Sequence, residues 1–181
     1  KGKQVILVDH NEKSQAVAGI ESAEIQEIID HHRLGTVQTM APVFFRNQPL
    51  GCTATIIYQM YQEAGVDIEK KIAGLLCSAI VSDTLLFRSP TCTPVDEMAA
   101  RSLAAIAGLD IEKYAMEMFG AGSNLKDKSD EEIFYQDFKR FTAGKVMIGV
   151  GQITSLNGGE LEGLKHRMPE FMEKAREGSG L

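Results

Sequence analysis

Two short runs of β-branched and aliphatic residues, Gln4 to Val8 and Glu24 to Ile29, each stop at an acid followed by histidine. The first ends in Asp9-His10-Asn11-Glu12 and the second in Asp30-His31-His32. Short apolar runs of this kind read as buried strands of a parallel sheet. In open α/β sheets, ligands bind beyond the carboxyl ends of the strands. Asp9 and the Asp30-His31-His32 cluster sit where that rule places a site.

Downstream the pattern turns helical. Thr36 to Phe45 is mixed, and Pro42 within it predicts an edge strand or a loop. Thr53 to Ala64 sets Ile56, Ile57, Met60, Tyr61 and Ala64 at helical spacing, with Gly51-Cys52-Thr53 as start signal and Gly65 as stop. Glu69 to Ser82 is apolar nearly all round and predicts a buried helix. Thr93-Pro94 caps a helix that runs to Ala107 before Gly108, and Ile111 to Phe119 predicts another. Strands alternating with helices point to an α/β fold with a parallel sheet.

The composition then shifts to small and polar residues. Residues 121–129 read as a linker between a first domain, 1–120, and a smaller α/β second domain, 130–181. In that second part the spacing predicts a helix from Asp130 to Phe141 capped by Ser129, a strand from Lys145 to Ile153, a loop at Gly158-Gly159, and an amphipathic helix from Gly163 to Arg176.

Charge and cysteine use bound what such a fold acts on. The 181-residue chain has a net charge of −6 and no basic block, the wrong balance for a nucleic-acid partner held through its phosphates. The longest apolar runs, such as Val5 to Val8, are far too short to span a membrane. Three cysteines, Cys52, Cys77 and Cys92, form no CxxC pair. They read as core thiols of a protein in a reducing cytoplasm, not as a disulfide framework.

Three acids carry the chemistry. Asp9 and Asp30 end the two strands, and Asp83 follows the apolar run Ala73 to Val81. A buried carboxylate there has to be paired, protonated or metal-bound. Three carboxylates brought together repel one another, and divalent cations remove the conflict. Carboxylates mixed with the imidazoles of His31 and His32 suit Mn²⁺, Co²⁺, Fe²⁺ or Zn²⁺. The lack of cysteine ligands argues against a structural zinc site. Two ions about 3.5–4 Å apart could share a water and lower its pKa. Each segment alone also reads as ordinary structure: Asp9-His10-Asn11 as a turn after a strand, Asp83 as a cap. His166, on a polar helix, reads as a solvated surface residue.

Taken together and in this order, the segments resemble the family II, or DHH-type, inorganic pyrophosphatases. Val8-Asp9-His10-Asn11-Glu12 is similar to the VDHNE motif, and Asp30-His31-His32-Arg33 to the DHH motif. Ser82-Asp83-Thr84 with Phe87-Arg88-Ser89-Pro90-Thr91 looks like the SDT segment, and Phe138-Lys139 like the start of the family's second domain. The resemblance implies a DHH-type parallel-sheet domain followed by part of the second domain. It implies hydrolysis of pyrophosphate to two phosphates at a two-metal centre using Mn²⁺ or Co²⁺, with Mg²⁺ accompanying the substrate. Attack would be in line, by a water that the metals activate.

The same resemblance implies roles residue by residue. Asp9 would bridge two metals, His31 would ligate one, and Asp83 would be a further ligand. His32 would face the substrate and donate a hydrogen bond or proton to a phosphate oxygen, with Asp30 orienting a histidine from behind. Lys139 would reach the phosphate as a point charge on a flexible stem. A homodimer through the first domain is implied as well.

Two of the family's motifs lie outside this chain: a His-x-x-x-Asp-x-Asp strand ahead of residue 1 and a Ser-Arg-Lys-Lys segment beyond residue 181. Asp9, His31 and Asp83 alone give each metal few ligands, so the chain by itself is expected to be a weak or inactive pyrophosphatase. Arg88 to Pro94 looks like members that carry a nucleotide-binding CBS insert just upstream of VDHNE. Residues 1–181 are therefore expected to be the part downstream of such an insert, with adenine-nucleotide regulation in the parent. The alternatives are another DHH phosphoesterase, acting on oligonucleotides, cyclic dinucleotides or polyphosphate, and a non-catalytic regulatory or dimerising fragment. The nucleic-acid enzymes usually carry a Gly-Gly-Gly-His motif, where this chain has only Gly158-Gly159-Glu160.

Overall fold

A computed structural model of the chain describes residues 2–122, 125, 128–144, 146–153, 155 and 158–179. It divides into two compact units, Lys1–Ala115 and Met116–Leu181.

In the first unit, β1 (Gln4–Val8), β2 (Glu24–Asp30) and β3 (Phe44–Asn47) form a parallel sheet in the order β1-β2-β3. The pairing runs past the strand ends, where the Asp9 N–H donates to the Ile29 carbonyl at 3.0 Å and the Gln48 N–H to that of Asp30 at 3.3 Å. Since all three strands run the same way, Asp9, Asp30-His31-His32 and the loop after Asn47 all leave the sheet at one edge.

Two strand expectations change here. The crossover from β1 to β2 is built from 3₁₀ turns at Lys13–Gln15 and Ile20–Ser22, which pack Ile20 against Leu7 and Ile28. β1 is therefore covered on one face only. It is an edge strand, with Leu7 buried and Ile6 and Val8 exposed. An apolar run cannot show by itself whether its second face is covered. Within Thr36 to Phe45 the chain is loop until Phe44, where the edge strand β3 begins.

Four helices follow: α1 (Thr53–Ala64), α2 (Lys70–Asp83), α3 (Pro94–Ala107) and α4 (Ile111–Gly122), whose last residues fall in the second unit. α1 ends on Gly65 at φ 63° and α3 on Gly108 at φ 72°, the left-handed region that glycine enters freely. α3 opens on a reciprocal capping box between Thr93 and Asp96, with Pro94 in its first turn. α2 packs on α3 through Ala73, Cys77, Ile80 and Val81, all fully buried. It is not buried all round, because Ile72 and Leu75 on its other face stay exposed.

The second unit contains α5 (Asp130–Tyr135), β4 (Phe138–Ala143), β5 (Val146–Gly151) and α6 (Gly158–Ser179). Ser129 caps α5 in a box with Glu132. The single helix expected over 130–141 stops at Tyr135, and Phe138 onward pairs antiparallel with β5, Phe138 opposite Gly151. A hairpin turn at Gly144, φ 64°, lets the chain double back. Gly151 admits the Phe134 carbonyl, which would stand 2.7 Å from a Cβ there. Gly158-Gly159 opens α6 and is not a loop. Leu125, Ile133, Phe134, Leu164 and Met168 form this unit's core. His166 is exposed on α6. Ala121 and Gly122, expected in the linker, complete α4; residues 123, 124, 126 and 127, like Lys145, lie outside the described residues.

Candidate metal centre

Asp9, His31 and His32 meet at the carboxyl edge of the sheet, each offering a ligand atom within 4.8 Å of the others. Asp9 follows β1 with φ 66°, a left-handed conformation that costs a non-glycine residue about 1 kcal/mol or more. Aspartate tolerates it better than most. Its Oδ1 stands 3.5 Å from His31 Nε2 and accepts a hydrogen bond from Thr53 Oγ1, in the first turn of α1, at 2.8 Å.

Hydrogen bonds fix both imidazoles in one tautomer. His31 Nδ1 is 2.8 Å from the Leu50 carbonyl, and His32 Nδ1 is 2.8 Å from Asp30 Oδ1. Both oxygens accept, so both Nδ1 atoms carry a hydrogen, and in the neutral rings the Nε2 atoms keep the lone pair. That is the state a metal ligand requires.

Asp30 organises the pair from beneath. It is completely buried and accepts from the His31 N–H at 2.8 Å, the His32 N–H at 3.2 Å, the His32 ring and the Asn11 amide. Burial alone would push this carboxyl up, but the bonds from Asn11, His32 and His31 outweigh it and hold Asp30 below the usual carboxylate range. Asn11 also donates to the Arg33 carbonyl at 3.0 Å and accepts from the Gly35 N–H, so it ties the loop after β1 to the loop after β2.

Asp83 ends α2 and is exposed, so it does not face the burial penalty expected for it. It stands outside the trio but is linked to it through Cys52. Burial, then a hydrogen bond to Asp83, with the Asp83 and Asp9 charges adding to both, push the Cys52 thiol up and keep it a neutral donor. Directly after Asp83, Thr84 is buried and its Oγ1 donates to the Ile80 carbonyl at 2.6 Å. Leu85, Leu86 and Phe87 then form three consecutive left-handed residues, at φ 50°, 50° and 66°. Each costs about 1–2 kcal/mol, and together they turn the chain sharply away from α2. Lys139 stands on β4 of the second unit, exposed, with Nζ 3.4 Å from Asp137 Oδ1.

Two family models match the sequence: the DHH family, N-terminal domain, over residues 2–80, and the DHHA2 domain over residues 116–181. The chain is a DHH–DHHA2 protein. It is 51% identical over 179 residues to the cobalt-dependent inorganic pyrophosphatase of Clostridium perfringens (strain 13 / Type A), covering 99% of this chain and 33% of that protein. It is 48% identical over 167 residues to the manganese-dependent inorganic pyrophosphatase of Bacillus subtilis (strain 168), covering 92% of this chain and 53% of that one. In structure it is similar to a Methanococcus jannaschii protein assigned to the family II inorganic pyrophosphatases, with a TM-score of 0.75, 38% identity, and coverage of 99% of this chain and 62% of that one. The chain thus spans about half or less of the length of these curated relatives.

Several groups that build this centre escape a reading of the sequence. Thr53, Cys52 and the Leu50 carbonyl come from the segment between β3 and α1, which reads only as a helix start. Asn11 is hidden inside Asp9-His10-Asn11-Glu12, where nothing local shows that it reaches Asp30. The one signal that could have found them is position: the segment leaves β3 at the same sheet edge as Asp9 and Asp30.

Proposed function

We propose that this chain carries part of the catalytic centre of a metal-dependent inorganic pyrophosphatase, which in the longer protein hydrolyses pyrophosphate to two phosphates. The observation that carries this reading is the meeting of Asp9, His31 and His32, with both Nε2 lone pairs free, at the carboxyl edge of a parallel sheet. The names of the relatives support it, and through them Mn²⁺ or Co²⁺ as the bound ion.

The donor set fits such an ion. Asp9 is half exposed and left-handed, so its carboxylate stands clear of the strand, and His31 offers Nε2 beside it. These two would hold a metal, with Asp83 as a further ligand. Bound divalent ions neutralise charge on the phosphate oxygens and lower the pKa of water. Asp30 holds His32 with Nδ1–H inward, so its Nε2 faces outward; once protonated there, His32 donates to a phosphate oxygen. Asp30 also stabilises the imidazolium that this protonation forms. Lys139 would add a positive charge to the phosphate from the second unit. Mg²⁺ would enter with the substrate.

A cytoplasmic homodimer is part of the same proposal. The cysteines are free, and among the described residues no helix is long and apolar enough to cross a membrane. A regulatory insert binding adenine nucleotides is proposed for the parent. The Arg88 to Pro94 segment supports it, as does the length of the Clostridium relative, of which this chain covers only 33%.

The test is phosphate release from pyrophosphate, with a dinucleotide and a short polyphosphate as rival substrates, in Mn²⁺, Co²⁺ or chelator. It is run on this chain and on its full reading frame. Mn²⁺- or Co²⁺-dependent release from pyrophosphate by the longer protein, with weak or no release by the 181-residue chain, is the expected result. Preference for the dinucleotide, or undiminished turnover in chelator, would overturn the proposal.

A further inference from the structure

The Leu50–Gly51 peptide unit is bonded on both sides. Its carbonyl accepts from His31 Nδ1 at 2.8 Å, and its N–H donates to Asp96 Oδ2 at 2.8 Å. Asp96 lies in the first turn of α3 and has no solvent exposure. Its Oδ2 also accepts from the Thr93 N–H at 2.8 Å and Thr93 Oγ1 at 2.7 Å, which is the helix cap. Two of its bonds go beyond any cap: the one from Gly51, and one from Thr55 Oγ1 to Oδ1 at 2.6 Å. A Cβ on residue 51 would stand 3.0 Å from Asp96 Oδ2 and 2.9 Å from Thr84 Cγ2. Glycine at 51 is what lets the carboxylate close on the peptide.

We infer that Asp96 is a positioning residue for His31, acting through the Leu50–Gly51 peptide; the inference rests on His31 being a metal ligand, as proposed above. A peptide whose N–H donates to a buried anion has a more negative carbonyl oxygen, because hydrogen bonds in a chain polarise one another. That oxygen is the acceptor that keeps the hydrogen of His31 on Nδ1 and aims Nε2 at Asp9. Carboxylates commonly support metal-bound histidines by direct contact. Here the carboxylate stands one peptide further back, and the charge of Asp96 on α3 reaches a ligand just beyond β2 without touching it.

Co²⁺ binding to the full reading frame tests this, followed by calorimetry and by the visible spectrum of the bound ion, with urea unfolding in parallel. Asp96→Asn is expected to weaken Co²⁺ binding about 10- to 100-fold and to shift the Co²⁺ bands and the His31 ring ¹⁵N resonances. Gly51→Ala, which pushes the carboxylate off the peptide but keeps its charge, is expected to do the same and serves where Asp96→Asn does not fold. Thr93→Ala removes the cap and leaves the Gly51 contact; it should lower stability while leaving affinity within about twofold. Wild-type Co²⁺ affinity in folded Asp96→Asn or Gly51→Ala, or equal weakening by Thr93→Ala, would sink the inference and leave the metal centre standing. If the wild-type full reading frame binds no Co²⁺, or its His31→Ala variant binds it as well as wild type, both fail together.

Discussion

Replacing Asn11 by aspartate is the sharpest perturbation of the scaffold beneath the metal centre, because it changes one heavy atom and almost no volume. Asn11 is 5% exposed, and its amide nitrogen donates to Asp30 and to the Arg33 carbonyl. In Asn11→Asp that nitrogen becomes an oxygen, facing a buried carboxylate and a carbonyl with no hydrogen between them. Two unit charges about 3 Å apart at an effective dielectric of about 20 repel by about 5 kcal/mol. The alternative is to keep one proton on the pair. At pH 7 this costs about 1.4 kcal/mol for each pH unit above an ordinary carboxyl value near 4, or about 4 kcal/mol. Protonation is the cheaper route, so Asn11→Asp should lose about 4 kcal/mol at pH 7.

The sign of the pH dependence identifies the cause. In the variant the folded pair holds a proton that the unfolded chain gives up above pH 4. The folded state therefore binds more protons, and its stability rises as the pH falls. The penalty relative to wild type should shrink by about 1.4 kcal/mol per unit, to about 1 kcal/mol at pH 5. Asn11→Ala, which only loses hydrogen bonds, should cost about 2–3 kcal/mol at both pH values. Urea unfolding of the three proteins at pH 5, 6 and 7 provides the measurement. A penalty for Asn11→Asp that stays flat from pH 5 to 7, or lies below about 1 kcal/mol at pH 7, would refute the buried carboxylate pairing on which the argument depends.

Two further outcomes follow from the same structure. Asp30 and Asp96 are both held below the usual carboxylate range by their hydrogen bonds against the effect of burial. Their contribution is present above the unfolded value of about 3.9 and is lost as the pH falls through the folded values. Urea midpoints should therefore drop below about pH 4, with a shallower drop in Asp30→Asn, and a midpoint independent of pH down to 3 would contradict this. In the helical layer, Ile80→Ala should cost about 2–5 kcal/mol, because Ile80 is fully buried between α2 and α3. Leu75→Ala on the exposed face of α2 should cost less than about 1 kcal/mol, and equal losses at the two positions would mean that α2 is buried all round.

The helices were readable because their boundaries are written in local chemistry. Thr93-Pro94 with Asp96, Ser129 with Glu132, and the glycines at 65 and 108 each act within one turn of the helix end they fix. The strands were readable as strands, while the surroundings of β1 were not. Leu7 is covered by a crossover made of 3₁₀ turns, and no periodic signal marks that crossover. The overrun of the helix expected over 130–141, which stops at Tyr135, has a related cause. Ile133 and Phe134 fit a helical period, and the pairing that makes a strand of Phe138 to Ala143 depends on partners three to thirteen residues away. Only the turn at Gly144 hinted at a hairpin.

In the metal centre, the ligand candidates were legible and, apart from Asp30, which the family resemblance named, their supports were not, for a physical reason. A ligand has to be an acid or an imidazole, and such residues stand out where they interrupt an apolar run. A support only has to place a hydrogen-bond partner at the right spot, and a backbone carbonyl serves as well as a side chain. His31 is held by the Leu50 carbonyl, and that peptide by a carboxylate on α3, 45 residues beyond Gly51. His32 is held by Asp30, and Asp30 by Asn11 from the loop after β1. Each link joins elements that meet only because three parallel strands end at one edge. The substitutions that should alter metal affinity without removing a ligand are therefore spread across the loop after β1, the β3–α1 segment and α3. The motifs that mark the site hold the whole support of His32, which is Asp30 and Asn11, but only the last atoms of the chain that supports His31.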